Sequence, residues 1–293
     1  MLEVLELRKR YGEKEALRGV SLTVRPGEIF GFVGANGAGK TTTMRILMGV
    51  LRADSGELRW NGRPLSFEDR RKFGYMPEER GLYQKMKVAE QIEYFGRLHG
   101  MSKSAAASAT AELMERLGLT ERRNDAVEAL SLGNQQRVQL AVALVHEPSV
   151  LILDEPFSGL DPLAVDALAD ALIERCRAGV PVIFSSHQLD LVERLCDSVG
   201  IISAGRMVAS GPVDEVRVKE GGRRLKVVVR DAVPGWADGL PGELTVTDDG
   251  RQVLVTEQGD PQAILSSAVR AGTVEHFGWE QPSLTEIFRE AVA

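Results

Sequence analysis

The chain has 293 residues, a length that favours one large domain with a smaller one, or two domains of moderate size. Its 43% hydrophobic and 27% charged residues are typical of a folded globular protein and exclude a disordered or fibrous chain. The net charge of -6 argues against nucleic acid as a partner, because proteins that neutralise many phosphates carry a basic excess.

The cysteines and the apolar runs narrow the class further. Cys176 and Cys196 have neither the spacing of a zinc site nor the density of a disulfide framework, which predicts two buried thiols in a reducing cytoplasm. The alternating apolar and acidic residues at the N-terminus do not form a signal peptide. No apolar run reaches the roughly 18 to 20 residues that cross a bilayer. If this protein works at a membrane, another polypeptide must span it.

The first part of the chain predicts strands followed by a phosphate-binding element. Leu2 to Val24 has the pattern of two strands around a turn at Gly12, which predicts an N-terminal antiparallel β subdomain. The apolar run from Ile29 to Val33 then enters a glycine-rich loop, and a helical pattern begins at Lys40.

The glycine-rich loop fits the phosphate-loop pattern of glycine, four residues, glycine, lysine, then serine or threonine. The flanking strand and helix favour this interpretation over a simple glycine-rich turn. Lys40 is predicted to neutralise the β- and γ-phosphates, and the Thr41 hydroxyl to bind Mg²⁺. The predicted nucleotide-binding residues of the loop are Gly34, Ala35, Asn36, Gly37, Ala38, Gly39, Lys40, Thr41 and Thr42.

A mostly helical segment, from about residue 84 to 146, separates this loop from two buried strands. Val150 to Leu153 and Val182 to Phe184 are short uninterrupted apolar runs, as expected for parallel strands buried on both faces. Strands of this kind separated by helices predict an α/β, doubly wound core with a helical insertion.

Two adjacent carboxylates, Asp154 and Glu155, follow the first of these strands. Such a pair is more often a solvated loop or a helix N-cap, but a phosphate loop in the same chain favours a catalytic role. Asp154 is predicted to hold Mg²⁺, and Glu155 to polarise an attacking water as general base.

The C-terminal region predicts a small separate α/β domain. Charge and glycine between Glu220 and Arg224 suggest a linker, so the expected domains are 1–220 and 221–293. Strand patterns follow at Leu225 to Val229 and at Gly242 to Glu257, with a turn at Asp249-Gly250, and a helical pattern covers Ala263 to Val269. Ser283 and Glu286 can then cap a final helix reciprocally.

These motifs resemble, in kind and order, those of ATP-binding cassette (ABC) ATPases, from about Leu2 to Pro212. The resemblance implies a P-loop NTPase core, ATP and Mg²⁺ as cofactors, and ATP hydrolysis. The further elements that carry it are an N-terminal aromatic residue, Tyr11, the signature-like segment Leu130 to Gln136, the stretch Ser158 to Asp161, and His187.

The resemblance also implies a role for each element. Tyr11 would stack on adenine, although a strand residue facing a partner sheet fits equally well. Ser131 and Gly133 would contact the γ-phosphate of ATP held by a second copy, with Asp161 at the seam. His187 would touch the γ-phosphate and the hydrolytic water, which makes Glu155, His187 and Lys40 the catalytic set. A single loop and a single signature imply a head-to-tail homodimer with two Mg-ATP.

Three residues depart from the family pattern. Leu132 replaces the usual glycine and Asn134 the usual glutamine of the signature. Glu78 replaces a glutamine that senses Mg²⁺ and the attacking water; we expect it to contact the metal or its water, with Arg80 as a possible counter-charge. The departures and the C-terminal domain are similar to cassettes of bacterial drug and sodium exporters with a separately encoded permease.

The expected function is therefore the ATPase subunit of an exporter, peripheral on the cytoplasmic face of the cell membrane, with no nucleic acid partner. Loop Glu78 to Tyr94 and the helical insertion are expected to dock the permease. The alternative is a soluble ABC-type ATPase of translation or DNA maintenance. Translation cassettes normally come in pairs, and repair proteins place a long coiled coil where about ninety residues separate Thr41 from Ser131.

Overall fold

The computed structural model of the protein describes residues 1–79, 81–221, 223–247 and 249–292. Within this part the chain divides into two units, Met1–Val213 and Asp214–Ala293. The strands of the first unit are β1 Leu2–Tyr11, β2 Lys14–Val24, β3 Ile29–Val33, β4 Ser55–Trp60, β5 Arg63–Pro64, β6 Phe73–Met76, β7 Val150–Leu153, β8 Val182–Ser186, β9 Ser198–Ser203 and β10 Arg206–Pro212. Its helices are α1 Lys40–Leu47, α2 Phe67–Arg70, α3 Val88–Leu98, α4 Lys103–Arg116, α5 Leu132–Leu144, α6 Pro162–Arg177 and α7 Leu189–Leu195, with short 3₁₀ helices at Thr120–Arg122 and Val127–Ala129.

The N-terminal strands form an antiparallel sheet in the order β2-β1-β4-β5. Gly12, with a φ of 56°, makes the turn between β1 and β2, as the sequence predicts. Alternate residues such as Leu2 and Val4 face a shared core with α1 and the central sheet, because successive side chains of a strand point to opposite faces.

The central sheet has the order β10-β9-β3-β8-β7-β6, and the predicted α/β class is confirmed. Strands β9, β3, β8, β7 and β6 run parallel, while β10 pairs antiparallel with β9 at one edge. Every residue of β3, β7 and β8 is buried. Because the carboxyl ends of parallel strands meet at one edge of a sheet, the residues that follow β3, β7 and β8 are brought together there.

The predicted helical insertion is confirmed as α3, α4 and α5, with α3 packed against both of the others. Two histidines stack at its base, His99 at the end of α3 and His146 after α5, with ring centroids 3.6 Å apart. His99 Nδ1 lies 3.0 Å from the carbonyl oxygen of Arg71, and His146 Nε2 lies 3.2 Å from that of Phe73. Burial, with a smaller contribution from His99, lowers the pKa of His146 to about 4. The pair therefore ties the ends of two inserted helices to β6 and to Arg71 at the end of α2.

The second unit is a four-stranded antiparallel sheet in the order β12-β13-β11-β14, with helices packed on it. Leu225, Val227 and Val229 of β11 form its core with α9 residues. The Ser283–Glu286 pair caps the last helix as predicted: Glu286 N–H donates to Ser283 Oγ and Ser283 N–H to Glu286 Oε2. The elements are α8 Val213–Gly221, β11 Arg224–Arg230, β12 Glu243–Val246, β13 Gln252–Thr256, α9 Pro261–Ala271, β14 Thr273–Glu280 and α10 Leu284–Val292.

The unit boundary lies at Val213 and Asp214, at the start of α8, whereas the expected boundary of 220 and 221 lies at its end. The difference arises because α8 belongs with the second unit: Arg217 donates hydrogen bonds to the carbonyl oxygens of Gln281 and Pro282. Among the described residues, no helix is both long and apolar enough to pass through a membrane.

Candidate nucleotide-binding site

The predicted phosphate loop lies at the carboxyl edge of the central sheet, between β3 and α1. It borders an open pocket of about 460 Å³. Gly39 has a φ of 119°, and an added Cβ would come within 2.7 Å of Leu17 and 2.9 Å of the Ala16 carbonyl oxygen. Only glycine fits there without strain. The lining residues are Tyr11, Lys14, Ala16, Ala35, Asn36, Gly37, Gly39, Lys40, Thr41, Thr42, Glu78 and Glu155.

Helix α1 begins at this loop, so its N-terminus can bind an anion. Its N-cap residue, Gly39, supplies no side-chain acceptor to the first helical amides. Free amides and the positive end of the helix dipole together favour a phosphate group. The Lys40 ammonium is 6% exposed and donates to the carbonyl oxygens of Gly34, at 2.6 Å, and Ala35, at 3.4 Å. The loop thus holds a buried cation against its own backbone.

The acidic strand end approaches the loop from β7, which is separated from β3 by β8. Glu155 Oε1 lies 3.6 Å from Lys40 Nζ, and its Oε2 lies 2.9 Å from His187 Nδ1. Glu155 is 8% exposed and has a φ of 51°, a left-handed conformation that costs a non-glycine residue roughly 1–3 kcal/mol. Glu155 therefore contacts both of the other predicted catalytic side chains. A carboxylate in this position can accept a proton from water.

The second carboxylate, Asp154, is fully buried, and a serine holds one of its two oxygens. Ser185 Oγ donates to Asp154 Oδ1 at 2.6 Å and accepts the Glu155 N–H at 2.8 Å. The sequence analysis did not identify Ser185, because its role depends on the register of β8 beside β7. Burial and then the negative charge of Asp154 raise the pKa of Tyr75 on the adjacent strand β6.

The oxygen atoms at this edge fit Mg²⁺. Asp154 Oδ2 is buried and has no hydrogen-bond partner within the described ranges, which leaves it available for a cation. The hydroxyl-bearing Thr41 lines the same pocket, as does the exposed Glu78. The described part of the chain has no cluster of three His, Cys, Asp or Glu that could hold a metal alone. Mg²⁺ typically binds through one or two protein ligands plus phosphates and water, and these residues suit that pattern.

Tyr11 and Glu78 both line the pocket, as predicted nucleotide-site residues. Tyr11 is 49% exposed, with Lys9 Nζ 5.6 Å from its ring centroid, so one ring face is open to a planar ligand. Lys14 and Ala16 of β2 also line the pocket, although the sequence analysis did not select them; their position just after the Gly12 turn was the available signal. Arg80, considered as a counter-charge for Glu78, lies outside the described residues.

The signature residues do not line this pocket. Ser131 is exposed and caps α5 by accepting the Asn134 N–H at 3.4 Å. Asp161 caps α6 in the same way, with the Ala164 N–H at 2.9 Å. The fold therefore brings together the loop, the acidic strand end, Tyr11 and Glu78, and leaves Ser131, Gly133 and Asp161 outside the pocket of their own chain.

In the parallel sheet, the phosphate loop follows β3 and the two adjacent carboxylates follow β7, two strands away. This arrangement defines a P-loop nucleoside triphosphatase. Comparison with known proteins narrows this class. The family described as ABC transporter matches residues 17–158, and the ATP-binding protein DrrA1-3-like, C-terminal domain matches residues 211–292.

Similar proteins and structures agree with these matches. The chain is 39% identical to the uncharacterized ABC transporter ATP-binding protein YhaQ of Bacillus subtilis, over 100% of this chain and 98% of that protein. It is 33% identical to the daunorubicin resistance ATP-binding protein DrrA3 of Streptomyces coeruleorubidus, over 96% and 92%. A solved ATP-binding subunit of an ABC transporter is 34% identical over 74% of this chain and 92% of that one, with a TM-score of 0.68. The chain belongs to the ATP-binding proteins of ABC transporters and is an ATPase.

Proposed function

We propose that the chain is the nucleotide-binding subunit of an exporter, which hydrolyses ATP with Glu155 as general base and drives a separately encoded permease. The observation that carries the proposal is the contact of Glu155 with both Lys40 and His187 beside the phosphate loop. A carboxylate so placed can take the proton of a water that attacks the γ-phosphate. Lys40 stabilises the negative charge of the phosphates. His187 holds the Glu155 carboxylate in place and contacts the γ-phosphate.

Thr41 and Asp154 would hold Mg²⁺, and Glu78 would contact the metal or its water. The bound ion neutralises charge on the phosphates. Tyr11 stacks its open ring face on the adenine, and the loop amides from Gly34 to Thr42 bind the phosphates.

The catalytically competent form is a head-to-tail homodimer. Ser131 and Gly133 stand at the N-terminus of α5, where a helix dipole favours a phosphate, yet they do not line their own chain's pocket. A second copy would therefore supply them to the γ-phosphate, with Asp161 beside the seam. Closure of the dimer on two Mg-ATP and its opening after hydrolysis would move the permease.

The permease docks on the segment from Glu78 to Tyr94 and on the helical insertion. Tyr83 and Tyr94 form an exposed aromatic pair with ring centroids 5.8 Å apart, and Leu98 is exposed one turn further along α3. Gln139 of α5 donates to the Pro77 carbonyl oxygen at 2.7 Å, which joins this surface to the residue before Glu78. Exposed aromatic residues of this kind are typical of protein interfaces. The chain would then lie on the cytoplasmic face of the membrane.

Export is supported by the DrrA-type C-terminal domain and by the name of DrrA3, since resistance through an ATP-driven transporter requires removal of the drug. We therefore propose export as the direction of transport, through the separately encoded permease.

The substitution Glu155→Gln tests the catalytic assignment. It keeps the size and shape of the side chain but removes the charge and the base, so we expect kcat for ATP hydrolysis to fall by about 10²- to 10⁴-fold with ATP affinity retained. Glu147→Gln, at an exposed glutamate after α5, is the matched control and should leave kcat unchanged. A Glu155→Gln protein that hydrolyses ATP at the normal rate would remove Glu155 from the role of base.

A further inference from the structure

The side chain of Ser185 contacts both carboxylate residues of the acidic strand end. It is fully buried in β8, next to β7, and its hydroxyl makes two hydrogen bonds. It donates to Asp154 Oδ1 at 2.6 Å and accepts the backbone N–H of Glu155 at 2.8 Å. The hydroxyl has one hydrogen to donate, and that hydrogen is committed to Asp154.

The first bond determines which oxygen of Asp154 is free. With Oδ1 engaged by Ser185, the buried Oδ2 keeps all its lone pairs and has no partner across the described residues. Rotation of the carboxylate about its own axis would break the Ser185 bond. The hydroxyl therefore fixes which acceptor atom of Asp154 is left for the proposed Mg²⁺, in the way that outer-shell partners orient metal ligands.

The second bond acts on the backbone that carries the proposed base. Glu155 has the left-handed φ of 51°, which persists only where its surroundings hold it. Ser185 accepts the N–H of that same residue, and the Glu155 side chain then reaches Lys40 and His187. An apolar residue at position 185 would leave this buried N–H unpaired and would loosen the backbone that carries Glu155.

We infer that Ser185 is a positioning residue that sets Asp154 for Mg²⁺ and Glu155 for water through one buried hydroxyl. The inference rests on the proposed function for the identity of the metal and of the base. It goes beyond that function because it assigns to a strand residue, outside the pocket lining, control over the Mg²⁺ dependence of nucleotide binding.

The test is an Mg²⁺ titration of ATP binding to the full chain, by calorimetry, alongside steady-state hydrolysis. For Ser185→Ala we expect the Mg²⁺ concentration that gives half of the maximal increase in ATP affinity to rise about 10- to 100-fold. ATP affinity in EDTA should stay within about twofold of the wild type, because the loop contacts are untouched. Ser185→Thr, which keeps the hydroxyl, should restore the wild-type Mg²⁺ dependence.

Ser198→Ala is the matched control, since Ser198 is a buried strand serine whose hydroxyl also donates to a buried carboxylate, that of Glu28, on the far side of β3. It should lower the melting temperature without changing the Mg²⁺ dependence. If Ser185→Ala does not fold, Ser185→Cys, which is close in size but a weak donor, takes its place in the same titration.

A folded Ser185→Ala or Ser185→Cys protein with the Mg²⁺ dependence of Ser198→Ala would overturn the inference. Because the titration reads binding, it separates this inference from the catalytic proposal. If Glu155→Gln hydrolysed ATP at the normal rate while Ser185→Ala showed a shifted Mg²⁺ dependence, only the assignment of Glu155 as the base would be contradicted.

Discussion

The phosphate loop and the signature segment are assigned to the same ATP chemistry, but the fold treats them very differently. Lys40, Asp154 and Glu155 are buried and are held by hydrogen bonds or close ionic contacts across three parallel strands. Ser131, in contrast, is exposed, and among the described residues its side chain bonds to its own helix, beside the exposed Leu132. In the proposed dimer, each chain would build one half of a site in its interior and present the other half on its surface to the second copy.

The largest effects are expected when each half is damaged on a separate chain. Lys40→Ala removes the phosphate cation, and Ser131→Asp keeps a good N-cap residue but places a negative charge beside the γ-phosphate. Each variant alone should lose at least about 100-fold in hydrolysis rate. An equal mixture should recover about a quarter of the wild-type rate, because half of the random dimers contain one intact site of two.

Ser131→Asn is the control for the signature, since it keeps the N-cap without adding charge. It should retain most of the activity. A mixture no more active than its components would show that the loop and the signature do not act across a dimer.

We expect acid to weaken the contact that His146 makes between the end of α5 and Phe73 of β6. His146 follows α5, and its pKa of about 4 lies below the ordinary 6.5, so the unfolded chain binds more protons between these values. Stability from the neutral ring is complete above pH 6.5 and is lost as the pH falls towards 4. At pH 5.5 the loss is about 1 kcal/mol relative to pH 8.

Urea unfolding at pH 8 and pH 5.5 measures this contribution. His146→Gln should show a pH-dependent loss about 1 kcal/mol smaller than the wild type. Equal pH dependence in the two proteins would contradict the role given to the stacked pair.

A smaller effect on the Mg²⁺ dependence is expected for Glu78, an exposed residue that lines the pocket. Glu78→Ala should raise the Mg²⁺ concentration for half-maximal hydrolysis about fivefold, since one carboxylate near the ion contributes roughly 1 kcal/mol in a solvated position. Glu79→Ala, which removes the neighbouring exposed carboxylate, should leave the Mg²⁺ dependence unchanged. Hydrolysis by Glu78→Ala with the wild-type Mg²⁺ dependence would separate Glu78 from the metal.

The sequence predicts the buried half of the site well because its signals are local. The glycines of the loop, the apolar run of β7 and the carboxylates after it are contiguous, and each pattern has one favoured structure. The same holds for the Ser283–Glu286 cap. The α/β class and the helical insertion followed from the same periodicities.

Features that depend on distant contacts were not predictable in this way. Ser185 meets Asp154 only through the register of two strands about thirty residues apart in sequence, and His99 meets His146 only when α3 and α5 pack. Strand β14 was missed because its alternation is weak, with His276 and Gly278 inside it. The start of the second unit at Asp214 was not predicted, because the charged, glycine-containing segment that suggested a linker lies at the end of α8.

The decisive measurement is the mass of the full chain in solution, by size exclusion with light scattering, in Mg²⁺ and a non-hydrolysable ATP analogue, alone and in complex with its permease. We expect twice the 32.0 kDa of one chain with the nucleotide, and dissociation when Ser131 is replaced by aspartate. A wild-type chain that stays at 32.0 kDa with the analogue, and that enters the permease complex as a single copy, would contradict the shared site.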